Sequence, residues 1–342
     1  MRLIRKKAYA RAGLVGNPSD GYFGKTLSMI VRNFAAEVTL YEWDQLEVVA
    51  SQKDRSRFDS LEELVRDVRL HGYYGGIRLV KATIKKFAEY CGRNGHALSN
   101  QNFAVRYHSE IPQAVGLAGS SAIIVATLHC LMEFFDVEIP RNVQPSLALS
   151  VESDELGIAA GLQDRVVQVY EGLVYMDFAQ ERMQEHQGLA CGVYEPLDPR
   201  LLPPLYLAYG ADLGEPTEVF HNNLRQQFRQ GEPAVVAAMA RFADLTVQAR
   251  QALREGDHAC FGRLLDANFD LRRSICRLPA AQVEMVASAR RAGATAQFAG
   301  SGGAIVGTCA DEETFRRLAT ALQAIGCRVV RPMVEPPRDA SG

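Results

Sequence analysis

Four stretches of this chain carry residue types whose spacing suits chemistry on a phosphate and a hydroxyl. In PQAVGLAGSS, Pro112 leads into Gly116, Leu117, Ala118, Gly119, Ser120 and Ser121, directly before an apolar run of helical period. Glycine lets an anion reach the backbone. A helix start then offers unpaired N–H groups and the positive end of a dipole, which together make a phosphate cradle. The same residues also read as a serine-capped buried helix. In ALSVESDELGIAAGLQDRVVQVYEG, Glu152 and Asp164 stand on either side of Gly157 and Gly161. Such a break can aim two carboxylates at one point, one for a magnesium ion and one for a substrate hydroxyl. The plainer alternative is a solvated acidic face of Glu152, Asp154 and Glu155, with Arg165 paired to one of them.

In RAGLVGNPSDGYFG, Asp20 ends a turn beside Tyr22 and Phe23. A carboxylate there suits sugar hydroxyls and a ring suits the sugar face, although turn-forming Asn, Pro and Asp need no function. In FAGSGGAIVG, Gly300, Ser301, Gly302 and Gly303 allow either a tight hairpin or a backbone that closes over phosphate. A dinucleotide fingerprint fails here, because the third glycine is missing and a strand follows.

The elements that must position these residues mix both periods. Strands are predicted at Tyr9–Val15, Ala35–Val49, Phe103–Tyr107, Gly172–Phe178 and Leu205–Tyr209. Helices are predicted at Leu61–Leu70, at Ile77–Cys91 with its apolar face at 77, 80, 84, 87 and 91, and from Ser146 to Val169 with glycine interruptions. Further helices are expected at Pro216–Arg229, Pro233–Glu255 and His258–Arg277. From Ala280 the order reads helix, Gly-rich turn, strand, helix, strand. Four prolines gather between Pro196 and Pro204, which places a domain boundary between residues 1–195 and 196–342.

Composition narrows the class. The chain has 342 residues, 47% of them hydrophobic, and a formal net charge of -2. That balance gives no general attraction to nucleic acid or to acidic membranes. The seven cysteines are scattered, without a CxxC pair, which argues for a reducing compartment and against a disulfide framework or zinc site. The basic N-terminus lacks an apolar core for a signal peptide, and no apolar run reaches the ~20 residues of a membrane span. The expectation is a cytoplasmic protein with a small-molecule substrate. SDGYFGKT, residues 19–26, nearly spells a P-loop. Ser19 replaces its first glycine, however, and Pro18 sits where the incoming strand should still pair.

Taken in order, the four stretches resemble the motifs of the GHMP kinase superfamily. The resemblance is closest to its glucuronokinase branch, through ARAGLVGNPSD, GYYGGIRL, IPQAVGLAGSSAI, ELGIAAGLQDRVVQVYEGLVYMDF, LLPPLYL, NFDLRRS and FAGSGGA. One departure is the loop, which is a residue longer than the usual PxxxGLGSSA. The resemblance implies a two-domain α+β GHMP kinase fold, with a ribosomal-protein-S5-domain-2-like N-terminal domain and a ferredoxin-like C-terminal domain. It implies ATP and Mg²⁺ as cofactors and phosphorylation of D-glucuronate at the anomeric hydroxyl. It further implies that the 116–121 loop holds ATP phosphates, that Ser121 and Glu152 hold the metal, and that Asp164 is the catalytic carboxylate. Asp20 would bind sugar hydroxyls, and residues 300–303 would support the loop. A uronic acid also needs a guanidinium for its carboxylate, for which Arg11, Arg32, Arg165, Arg272 and Arg273 are the candidates. Tyr22, Tyr73 and Tyr74 are candidate ring contacts.

Overall fold

A computed structural model describes residues 2–49, 75–210 and 224–337. The helix expected at Leu61–Leu70, and Tyr73 and Tyr74, lie outside the described residues.

The chain opens with two long antiparallel strands, β1 (Leu3–Val15) and β2 (Lys25–Glu42). Around them a six-stranded sheet forms with β3 (Glu47–Val49), β4 (Phe103–Ser109), β5 (Leu173–Asp177) and β8 (Val193–Leu197). Its order is β3-β4-β2-β5-β8, with β1 also on β2. β2 begins ten residues before the predicted strand. Its first half, Leu27–Val31, is buried at every position, so no alternation marks it as a strand. Lys25 and Thr26, which a P-loop would set at a helix start, instead open this strand.

Helices α1 (Gly76–Arg93), α2 (Gly119–Phe135), α3 (Gln144–Ser150) and α4 (Gln163–Tyr170) pack with this sheet and with one another. α2 is buried along nearly its whole length, from Ser121 to Phe134. Burial rather than amphipathic surface therefore holds it in place. β6 (Gln184–His186) and β7 (Leu189–Cys191) form a small separate hairpin.

The chain changes sheet between Leu197 and Leu205. β9 (Leu205–Tyr209), β10 (Gln297–Phe298), β11 (Ala304–Thr308) and β12 (Arg328–Val330) form a four-stranded antiparallel sheet ordered β10-β11-β9-β12. Helices α5 (Pro233–Glu255), α6 (His258–Ile275), α7 (Ala280–Arg291) and α8 (Glu312–Gln323) accompany it. Their starts and ends fall close to the predicted ones, because α5 opens on Pro233 and closes on Gly256, and α6 is capped by the Asp257 side chain. Of the helix predicted at Pro216–Arg229, residues 224–229 are described and are helical.

The two halves are stitched together by buried amides. Asn268 accepts from the Gly16 N–H at 2.8 Å and donates to Gln297 at 3.0 Å, and Gln297 in turn donates to the carbonyls of Gly13 and Leu14. The end of β1 is thereby fixed against the Gly-rich turn of the second sheet, and the candidate residues lie along this seam. All seven cysteines are free thiols. No helix among the described residues is long and apolar enough to cross a membrane.

Candidate active site

The 116–121 loop closes on the start of α2. Ala118, at the helix N-cap, is left-handed with φ 63°, and no side chain caps the helix. The serine-cap reading is therefore not realised. Ser121 turns its hydroxyl back onto the Ala118 carbonyl at 3.2 Å and is buried, while Ser120 is exposed at the helix mouth. Leu117 is buried, and its carbonyl accepts from the Arg11 N–H. Pro112 stands half-buried at the loop's entry. An uncapped helix start behind a Gly-containing loop fits a nucleotide phosphate.

The Gly-rich turn packs on this loop backbone to backbone. A Cβ on Gly300 would lie 2.1 Å from the Gly116 carbonyl oxygen, and one on Gly116 would lie 2.8 Å from the Ser301 nitrogen. Only residues without side chains allow that approach. Arg272, 1% exposed, holds the turn from below, donating to the Gly300 carbonyl at 2.7 Å and the Ser301 carbonyl at 3.1 Å. Gly302 and Gly303 complete the turn, and the Gly303 carbonyl accepts from Gly210.

Arg11, on β1, is the hub. Its Nε donates to Asp164 Oδ1 at 2.6 Å, and its Nη1 donates to the carbonyls of Gly116 at 2.8 Å and Ala299 at 2.7 Å. One guanidinium thus joins the candidate catalytic carboxylate, the phosphate loop and the edge of the Gly-rich turn. Asp164 stands in the first turn of α4 and keeps part of its surface open.

Asp20 meets the start of the same helix. The Gln163 N–H donates to Asp20 Oδ2 at 3.2 Å, and the Gln163 side chain donates to Oδ1 at 3.2 Å. A carboxylate from a distant turn therefore satisfies an N–H at the start of the helix that bears Asp164. The contact requires Gly161, where a Cβ would stand 2.0 Å from Asp20 Oδ2. Burial, and then the negative charge of Asp164, push the Asp20 carboxyl up from 3.8 to about 6, against the pull of the Gln163 N–H, Arg11 and Arg165. If the ionised form accepts sugar hydroxyls, kcat/KM for the sugar should fall as pH drops through about 6. Asp20→Asn should remove that limb, and a pH profile of both proteins checks it. The stability effect has the opposite sense. The folded state binds the proton more tightly than the unfolded chain, so this group's contribution declines as pH rises from about 4 to about 6.

Arg165 and Glu152 form a buried ion pair. Arg165 also donates to the Gly161 carbonyl at 2.8 Å and lies 3.6 Å from Asp164 Oδ2. Burial lowers its pKa to about 9, so it remains a cation at neutral pH. Asp154 and Glu155 instead meet Lys86 and Lys85 at the surface. As they stand, Ser121 faces Ala118 and Glu152 faces Arg165. This pair does not present an open ligand set to a magnesium ion, and no group of three metal-ligating side chains occurs among the described residues.

The structure thus brings Arg11, Asp20, Asp164, Arg165, Glu152, the 116–121 loop and residues 300–303 to one seam. Arg272 lies beneath the turn. Tyr22 is buried edge-on against Phe228, at 5.0 Å between ring centroids, rather than open to a ring ligand. Arg32 pairs with Glu171, and Arg273 is exposed on α6. Two residues absent from the sequence reading also stand here. Gln163 precedes Asp164 by one position, and Arg225 donates to the Ala160 carbonyl at 3.4 Å.

Residues 78–172 match the model of the GHMP kinases N terminal domain, and residues 249–326 match that of the GHMP kinases C terminal. Glucuronokinase 1 of Arabidopsis thaliana is 41% identical over 337 residues, covering 94% of this chain and 91% of the relative. The chain belongs to the GHMP kinase family. This GHMP kinase is also 44% identical to the probable glucuronokinase 2 of the same plant, over 90% of the chain and 84% of the relative. Its fold is shared with solved structures at much lower identity. Lactococcus lactis galactokinase, complexed with galactose, superposes with a TM-score of 0.76 at 14% identity, covering 98% of this chain and 94% of that one. The Listeria innocua protein Lin0012 superposes with a TM-score of 0.77 at 14% identity, covering 98% of each chain. The two-domain α+β GHMP kinase fold implied by the motifs is the fold observed.

Proposed function

We propose that this GHMP kinase is a sugar-acid 1-kinase. It transfers the γ-phosphoryl group of ATP to the anomeric hydroxyl of D-glucuronate, giving glucuronate 1-phosphate and ADP. Residues 1–195 supply the nucleotide loop and both site carboxylates, and residues 196–342 supply the turn that backs the loop. The observation that carries the chemistry is the Arg11 guanidinium, which ties Asp164 to the 116–121 loop. The choice of acceptor rests on the identity to the two Arabidopsis glucuronokinases over most of the chain.

When bound, ATP with its Mg²⁺ counter-ion supplies the phosphoryl group and an electrophilic phosphorus. The protein's part is positioning and electrostatics. The N–H groups at the start of α2 and the 116–121 backbone hold phosphate oxygens. Asp20, fixed by Gln163, accepts from sugar hydroxyls. Asp164 accepts the proton of the anomeric hydroxyl, and Arg11 keeps its carboxylate in register with the loop while adding positive charge beside the transferred group. No step is assigned to Ser121 or Glu152 as metal ligands.

ADP release, measured against a panel of uronic acids and neutral sugars, tests the reading. The expected result is turnover with glucuronate well above that with galactose or glucose. Turnover of a neutral sugar with none on glucuronate would overturn the acceptor.

A further inference from the structure

A uronic acid differs from a neutral sugar by one carboxylate, and such a group is held best by a guanidinium with donors to spare. The arginines at the seam are instead buried and committed to protein acceptors. Arg11 serves Asp164, Gly116 and Ala299. Arg165 serves Glu152 and Gly161. Arg272 serves the Gly-rich turn. Arg32, midway along β2, serves Glu171 and the Pro336 carbonyl, and Arg273 is exposed to solvent, where screening weakens its attraction.

Arg225 differs in both respects. Residues 224–229 are helical, with Leu224 buried beside Tyr22, Val235, Met239 and Phe242, and with Phe228 edge-on to the Tyr22 ring. These two anchors sit four residues apart on one helix face and fix the segment against the turn that carries Asp20. Arg225, next to Leu224, is thereby set over the Gly157–Gly161 segment. Its single hydrogen bond among the described residues is a long one, 3.4 Å to the Ala160 carbonyl. Its charge is also felt at the Tyr22 hydroxyl, two residues from Asp20. Ala160 adjoins Gly161, which touches Asp20, and lies four residues before Asp164. In a uronic acid the anomeric carbon and the carboxylate-bearing carbon flank the same ring oxygen. A carboxylate receptor must therefore lie close to the carboxylates that handle the hydroxyls.

We propose that Arg225 is the specificity-determining residue of this site and binds the carboxylate of the uronic acid substrate through its guanidinium. The proposal rests on the sugar-acid reading above and names the residue that enforces it. Half-burial suits the role, since the guanidinium is shielded enough to attract strongly and open enough to receive a ligand.

The test compares kcat/KM for D-glucuronate and for D-glucuronamide, its uncharged isostere, in the full chain and in Arg225→Met and Arg225→Lys. If the amide is not turned over, its inhibition constant replaces kcat/KM. The preference for the acid over the amide should fall about a hundredfold in Arg225→Met through loss of a charge-assisted pair, and Arg225→Lys should recover part of it. KM for ATP and the melting temperature should stay at the unsubstituted values. An unchanged preference, in a protein that does phosphorylate glucuronate, would overturn the assignment and leave the reaction standing. Equal losses on acid and amide together with a lowered melting temperature would make Arg225 a structural residue and also overturn it. An unsubstituted protein active only on neutral sugars would overturn the sugar-acid reading itself, and Arg225's role with it.

Discussion

Asp164→Asn should lower turnover about a thousandfold, the scale of losing a positioned base, while ATP binding stays close to that of the unsubstituted protein. Asparagine keeps the volume of the side chain and an oxygen that can still accept from Arg11 Nε, now 2.6 Å from Oδ1. What it loses is the capacity to take a proton and the charge that balances Arg11 and Arg165. The loop contacts of Arg11, to the Gly116 and Ala299 carbonyls, do not involve Asp164 and should persist. Steady-state ADP release and titration with a fluorescent ATP analogue separate the two effects. Turnover within tenfold of the starting value would remove Asp164 from the role of base.

The second large effect is expected at Arg165. The Glu152–Arg165 pair is 4% and 3% exposed, and the guanidinium also holds the Gly161 carbonyl. Arg165→Met should leave Glu152 as an uncompensated buried charge and destabilise the protein by about 3–5 kcal/mol. Glu152→Gln with Arg165→Met should recover most of that loss, because a buried pair replaced on both sides leaves no orphaned charge. Denaturant unfolding of both single variants and the double variant reads the cycle. A single variant as stable as the parent, with no gain in the double, would show that the pair does not support the fold. The cycle also bears on magnesium. A metal ion at Glu152 has to replace Arg165, so Arg165→Met should tighten Mg²⁺ binding if Glu152 is a ligand at all.

Much of this architecture was legible in the chain. Helices α5, α6 and α8 carry their boundaries in local residues such as Pro233, Gly256 and the capping Asp257 and Asp311. β2 was harder to read. Its first half is covered on both faces and shows no alternation, so the strand was predicted to begin ten residues late. The site divides in the same way. The Gly-Ser loop, the Gly-rich turn and the order of Asp20, Glu152 and Asp164 could be named from their neighbours in sequence. Gln163 stood beside Asp164 in plain view, but nothing in the sequence marked its amide as the clamp on Asp20.

The sequence by itself determined the backbone devices, because glycine, proline and capping residues act on the few peptide units around them. It also determined the family, through the order in which those devices occur. Only the tertiary structure decided how the charges are shared out. Arg11 finds Asp164 across 153 positions, Arg272 reaches the Gly-rich turn across 28, and Arg225 reaches Ala160 across 65. Ion pairing depends on separation in space and on the water removed around each group, and neither is written into the order of residues. Five candidate arginines looked alike along the chain. Folding buries Arg11, Arg165 and Arg272 at the seam against protein partners, and it brings in a sixth, Arg225, half-buried and held among the described residues by one long hydrogen bond.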